Sequence, residues 1–281
     1  MLFPENIGSK LSIDEVSLSK GELYTFVTNK QGRAKKGSLV ACIKGTRSAD
    51  LIKILEKLPL KARKQVEEVT LDMANNIELA TKLSFPESTL VTDRFHVVKL
   101  VTEALQHIRI QLRWKELDIE NKNILKAKEE GKKYKPAQFA NGDTPKQLLA
   151  RSRYIIAKKP NQWTDNQKQR ADVLFKKYPE LHKAYKHTLE FRNIYEERSK
   201  IKAQERFERW IEHTYKNELK TFYTSANTVK ANFKNILNFF NHRNTNANAE
   251  SFNAKIKLFR ANLRGVTDTT FFLFRLHKLF A

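Results

Sequence analysis

Near residue 95 the hydrophobic period of the chain changes, and this change limits the folds open to it. Before it, Leu11 to Val16, Leu23 to Thr28 and Ser38 to Ile43 are short β-rich runs. They are separated by Lys20-Gly21-Glu22 and by the stretch from Gln31-Gly32-Arg33 to Gly37, both suited to hairpin turns. Three consecutive antiparallel strands are the expected outcome. Ser48 can cap a helix whose apolar positions Leu51, Ile52, Leu55 and Leu58 keep helical spacing as far as Pro59. Val66 to Leu71 then reads as a strand, Asn75 to Leu83 as a helix closed by Phe85-Pro86, and Thr89 to Thr92 as a further strand. This order gives an α/β layer with an antiparallel start, and right-handed crossovers return the later strands parallel to the first.

From Phe95 to Leu279 the pattern is almost wholly helical. The polar stretch Ala127 to Gly142 interrupts it as an exposed loop. Helices are expected over Pro145–Lys158, Asp165–Lys177, Pro179–Tyr215, Lys220–Asn241 and Ala247–Leu279, some of them broken inside. No internal repeat is evident. A β-rich part followed by so much helix would ordinarily mean two domains, but the last helical segment argues for an insertion.

Composition narrows the partner. Lys and Arg number 53 against 31 Asp and Glu, a net charge of +22, which exceeds what solubility requires and points to a polyanion. The positive charge is spread along the chain with no single amphipathic anchor, which favours nucleic acid over a membrane surface. With 40% hydrophobic and 10% aromatic residues and only 8 Gly and 7 Pro, the chain is a core former. No run approaches the roughly 20 apolar residues of a membrane span, and the start has neither a basic nor an apolar signal region, so a cytoplasmic protein is expected. One cysteine, Cys42, excludes a disulfide framework and a Cys-based zinc finger.

Two acids stand out. Asp14 interrupts Leu11-Ser-Ile-Asp-Glu-Val in mid-strand, and Asp72 directly follows Val69-Thr-Leu, at the strand end where α/β sheets bind ligands. Each has an ordinary reading, Asp14 as a solvent-facing strand residue and Asp72 as a helix cap. If the first strand lies beside the fourth, however, both carboxylates can converge on a divalent cation such as Mg²⁺. A third acid is available late in the chain, in Asn244-Thr-Asn-Ala-Asn-Ala-Glu-Ser-Phe-Asn-Ala-Lys-Ile-Lys-Leu-Phe-Arg. At about 100° per residue, Phe252, Ile256, Phe259 and Leu263 form one stripe, while Glu250, Asn253, Lys257, Arg260 and Arg264 lie opposite. That second face sets one carboxylate among cations, although a solvated helix face would look the same.

Val69-Thr-Leu-Asp-Met-Ala, Phe85-Pro-Glu-Ser-Thr-Leu-Val-Thr-Asp-Arg-Phe-His-Val-Val-Lys-Leu and Thr245-Asn-Ala-Asn-Ala-Glu-Ser-Phe-Asn-Ala-Lys-Ile-Lys together resemble the DDE transposases of bacterial insertion sequences, in particular the ISL3 family as found in Bacteroidetes. The likeness extends from about Leu11 to the C-terminus. It implies an RNase H-like catalytic fold interrupted by a large all-α insertion. The core is then residues 1–100, the insertion 101–235, and 236–281 supply C-terminal helices that complete the core with its glutamate.

Carried over residue by residue, the resemblance makes Asp14, Asp72 and Glu250 the catalytic, metal-holding acids for two Mg²⁺ or Mn²⁺ ions. Their carboxylates should then lie close together, with Asp93 farther off. Asp93 and His96 match the family's Asp-Arg-Phe-His motif and are expected to support the acids or position DNA, although a competing assignment makes Asp72 and Asp93 the two aspartates of the triad. Arg94, Lys99, Asn253, Lys255, Lys257, Arg260 and Arg264 are the expected DNA contacts. The implied activity is metal-dependent DNA cleavage and strand transfer by a homo-oligomer on DNA at the bacterial nucleoid. A non-catalytic DNA-binding remnant, or an RNase H-like nuclease or resolvase, are the alternatives. Full-length relatives usually carry an N-terminal zinc-binding and helix-turn-helix region. Here the chain starts a few residues before the first catalytic strand, so recognition of element ends is expected from a separate protein or to be lost in a truncated copy.

Overall fold

The computed structural model describes residues 1–17, 22–243, 247–262 and 268–281, the side chains of 247–250 excepted. Five strands, β1 (Lys10–Ser17), β2 (Leu23–Asn29), β3 (Leu39–Lys44), β4 (Glu68–Leu71) and β5 (Thr89–Thr92), form one sheet in the order β3-β2-β1-β4-β5. β2 runs antiparallel to both β1 and β3, whereas β1, β4 and β5 are parallel. Between them stand α1 (Ser48–Leu55), α2 (Leu60–Lys64) and α3 (Asn75–Ser84). The remaining helices are α4 (Arg94–Glu129), α5 (Pro145–Arg151), α6 (Arg153–Ile156), α7 (Asp165–Lys177), α8 (Pro179–Ile194), α9 (Lys200–Lys216), α10 (Tyr223–Ala231), α11 (Phe233–His242), α12 (Ala247–Asn262) and α13 (Thr269–Phe280). The protein is therefore of mixed α/β class.

The chain forms two compact units, one of Met1–Val97 with Asn232–Ala281 and the other of Val98–Ala231. In the first, strand alternation gives the sheet two apolar faces. Leu11, Ile13, Val27, Ile43, Val69 and Leu71 pack with Leu51 and Leu55 of α1 and Ile77 and Ala80 of α3. Val16, Tyr24, Phe26 and Cys42, on the other face, pack with Phe252 and Ile256 of α12 and Phe272, Leu276 and Phe280 of α13. At the sheet's edge Asn238 of α11 donates Nδ2 to the Leu90 carbonyl of β5, 2.9 Å away.

Helices and loops alone make up the second unit. Thr144 and Thr164 cap α5 and α7, each in a reciprocal box with a glutamine three residues on. Its core is aromatic: Trp210 stacks on His187 with centroids 4.6 Å apart, and Phe191 and Phe207 lie in edge contact. No helix among the described residues is long and apolar enough to cross a membrane.

Several local expectations are corrected. Ser48 is the first residue of α1 and makes no cap, because the capping position falls on Arg47. The third strand starts at Leu39 and not Ser38, whose hydroxyl instead accepts from Lys35 N in the preceding turn. The fourth strand starts at Glu68 because the amides of Glu67 and Glu68 both turn to the Ser9 carbonyl. The short α2 was not anticipated, since Leu-Lys-Ala-Arg-Lys has no apolar stripe. The expected loop at Ala127 begins only after Glu129, and the helix from Pro179 breaks between Ile194 and Lys200, where Ser199 caps the next one. The anticipated turn around Lys20-Gly21 lies outside the described residues.

Candidate active site

The parallel register brings three aspartates into line. β1 pairs Ser12 with Thr70, Asp14 and Asp72 each lie two residues beyond that last pair, and the charge of Asp72 acts on Asp14. β4 pairs Leu71 with Thr92, so one residue on Asp72 stands opposite Asp93, whose amide donates to the Leu71 carbonyl at 2.8 Å. The middle position of the row belongs to Asp72. By alternation all three belong to the face that also carries Ser12, Glu68 and Thr70, the one covered by α12 and α13.

Each carboxylate is held differently. Asp14 is half-buried; its Oδ1 accepts from Glu15 N at 2.8 Å and its Oδ2 from Asn253 Nδ2 of α12. Burial raises its pKa above the ordinary carboxylate value. The Glu15 amide, the His96 imidazole and Asn253 oppose that rise, and the charge of Asp72 adds to it. Glu15 is also raised, first by burial and then by Asp72. Asp72 Oδ1 closes a tight turn by accepting from Ala74 N at 2.9 Å. It leaves the cap position of α3 to Ala74. Asp93 is buried, accepts from Phe95 N at 3.0 Å, and lies 3.8 Å from His96 Nε2.

Beneath this row is a buried polar floor that the sequence reading passed over. Lys30 Nζ is 3.1 Å from Glu68 Oε1 and also donates to Thr70 Oγ1, while Ser12 Oγ donates to the Thr70 carbonyl at 3.5 Å. Lys30 is only 7% exposed and Glu68 3%, so both charges are removed from water. Burial lowers the Lys30 pKa, and the charges of Glu68 and Asp93 oppose that shift. The sequence signal was present: Ser12 and Asp14, and Glu68, Thr70 and Asp72, put polar residues at every second position of otherwise buried strands.

Glu250 lies on the first turn of α12, its side chain outside the described residues, as is Arg264 altogether. The stripe through Phe252, Ile256 and Phe259 packs on the sheet. Asn253, expected to contact DNA, spends its amide on Asp14. Lys255 Nζ donates to the Ala34 carbonyl at 2.6 Å and Arg260 lies 5.2 Å over the Phe272 ring. Lys257 and Arg94 are exposed, as is Lys99, which sits 3.8 Å from Glu103. Among the described residues no three His, Cys, Asp or Glu side chains are grouped to hold a metal. Asn253→Ala should free the Asp14 carboxylate to rotate and lower any metal-dependent activity by ~10–100-fold, with little change in the melting temperature. Parallel activity and melting measurements check this.

A family model for DDE transposases of the ISL3 type, described as a transposase, matches residues 11–276. Two curated relatives are the transposases for insertion sequence element IS1557 of Mycobacterium tuberculosis strains CDC 1551 / Oshkosh and ATCC 25618 / H37Rv. Each is 24% identical over 252 residues, which cover 89% of this chain and 55% of the relative. The chain thus spans about half the length of these relatives. No solved structure matches it.

Proposed function

Since the chain belongs to the ISL3 family of DDE transposases, we propose that it cleaves DNA at the ends of an insertion sequence and joins them to target DNA, in the bacterial cytoplasm at the nucleoid. Residues 1–100 and 236–281 form an RNase H-like catalytic core in this reading, and 101–235 an all-α insertion. The observation that supports it is the strand order, in which β1, the strand of Asp14, is adjacent and parallel to β4, which ends just before Asp72, while α12, the helix that bears Glu250, packs on the same sheet.

The donor chemistry suits a hard divalent cation. Asp14 is a partly desolvated carboxylate whose ionised form is further disfavoured by Asp72, an arrangement that a shared cation relieves. Asp14, Asp72 and Glu250 would hold Mg²⁺ or Mn²⁺, two ions, which when bound supply Lewis-acid stabilisation of the attacking and leaving oxygens of an in-line phosphoryl transfer. The chain's own groups do the rest. Asn253 aims one Asp14 oxygen, the Glu15 amide fixes the other, and His96 with Asp93 borders the row. Lys257, Arg260, Arg264, Lys255, Arg94 and Lys99 attract the phosphate backbone, which positions DNA without reading its sequence. The protein works as a homo-oligomer on DNA.

The test is strand cleavage and joining on element ends, with any DNA-binding protein encoded beside the gene supplied. Glu250→Gln should retain DNA binding and lose Mg²⁺-dependent cleavage and joining. Wild-type activity no greater than that of Glu250→Gln would leave a DNA-binding remnant as the better description. Duplex affinity should also fall steeply with salt, each neutralised phosphate contributing about −0.9 to the slope of log K against log[salt]. A flat titration would count against a DNA role for the +22 charge.

A further inference from the structure

The long helix α4 has two apolar faces, one buried within the chain and the other mostly exposed among the described residues. At about 100° per residue, the buried Val101, Ala104, Leu105 and Leu112 fall on one side. Ile110, Trp114, Leu117, Asn121 and Ile124 fall within roughly 80° of one another on the opposite side. Trp114 is 62% exposed, Ile110 and Ile124 each 42%, and Leu125 beside them 60%. Single exposed hydrophobics are ordinary, but a continuous stripe along one helix is not.

The stripe repeats in alternating steps of four and three residues, the spacing of a coiled-coil seam. Ile110, Leu117 and Ile124 occupy the d positions, and Trp114 and Asn121 the a positions. The flanking charges are complementary across such a seam. In a parallel pair each g residue faces the e residue five positions on in the other strand, which sets Arg113 against Asp118 twice over. Neither of these two has an ion-pair partner within the chain among the described residues. Asn121 is a polar residue at a single a position, the device that fixes a two-stranded parallel register at some cost in stability.

We infer that α4 from Ile110 to Lys128 is a self-association surface, on which the occupant is the same segment of a second copy of this chain in parallel register. This inference does not rest on the catalytic reading, because its readout is association without DNA.

The test is sedimentation velocity of the full chain over a range of concentrations, without DNA and in enough salt to screen the repulsion between two copies of charge +22. The wild type should pass from monomer to dimer as concentration rises. Leu117→Glu, at a partly buried position, with Ile124→Glu, at an exposed one, should raise the dissociation constant by at least ~30-fold, the fold of the variant being checked by circular dichroism. Arg113→Glu alone should weaken the dimer, and Arg113→Glu with Asp118→Arg should restore it, a rescue that a misfolded variant would not give. A chain monomeric at every concentration overturns the inference, as does a dimer indifferent to the seam changes or a double reversal without rescue. Capture of an unlike protein by an otherwise monomeric chain would also overturn it.

Discussion

Asp14→Asn should lower metal-dependent cleavage and joining by at least ~10²–10³-fold and at the same time leave the metal-free protein as stable as the wild type or more so. The two effects have one cause. Burial holds the Asp14 carboxyl above its ordinary value of 3.8, with Asp72 adding to the shift. A raised folded-state pKa means that the fold prefers the protonated form. The stability tied to this group is complete below the unfolded value and is lost as pH rises through the folded one. Wherever Asp14 is ionised the wild type carries a charge that its burial disfavours, and the neutral amide removes that burden. Thermal melts with and without Mn²⁺ check the account independently of turnover. Wild type should melt higher with the ion by mass action, and Asp14→Asn should not. A variant that still gains stability from the ion would remove Asp14 from the metal-holding set.

Breaking the polar floor should have the largest effect on folding. Glu68→Gln or Lys30→Met alone leaves one buried charge without its partner, at a cost of about 3–5 kcal/mol, while the double replacement should cost much less than the two singles added. Urea unfolding of the four proteins measures this. If Lys30→Met costs under ~1 kcal/mol, the pair is not what keeps the floor in place.

Much of the sheet was legible because its strands are short and bounded by turn residues: Thr89 to Thr92 is read and formed with the same limits, and the helix expected from Asn75 ends one residue late. The parallel return of β4 and β5 followed from the crossover rule, and the condition for Asp14 and Asp72 to approach, β1 beside β4, is met by the sheet order. Side-chain partners across long separations were not legible. Asn253 on the polar face of α12 reads as a DNA contact because nothing local shows that Asp14, 239 positions earlier, lies beneath it. Lys30 reads as one more surface cation, since its partner Glu68 is 38 residues on. The seam on α4 was hidden for a different reason: apolar residues on two opposite faces cancel, so the helix does not look amphipathic.

The order of synthesis turns the architecture of the first unit into a timing constraint. Val16, Phe26 and Cys42 leave the ribosome at least 210 residues (252 − 42) ahead of their covering partners Phe252, Ile256, Phe272 and Leu276. At elongation rates of about 5–20 residues per second, that sheet face stays bare for roughly 10–40 s in every nascent chain. Throughout this interval the sheet offers a naked apolar surface of the kind that recruits holding chaperones, and Asp14 lacks the asparagine that aims it. The nascent chain is thus kept inert by its own connectivity until α12 and α13 have been made.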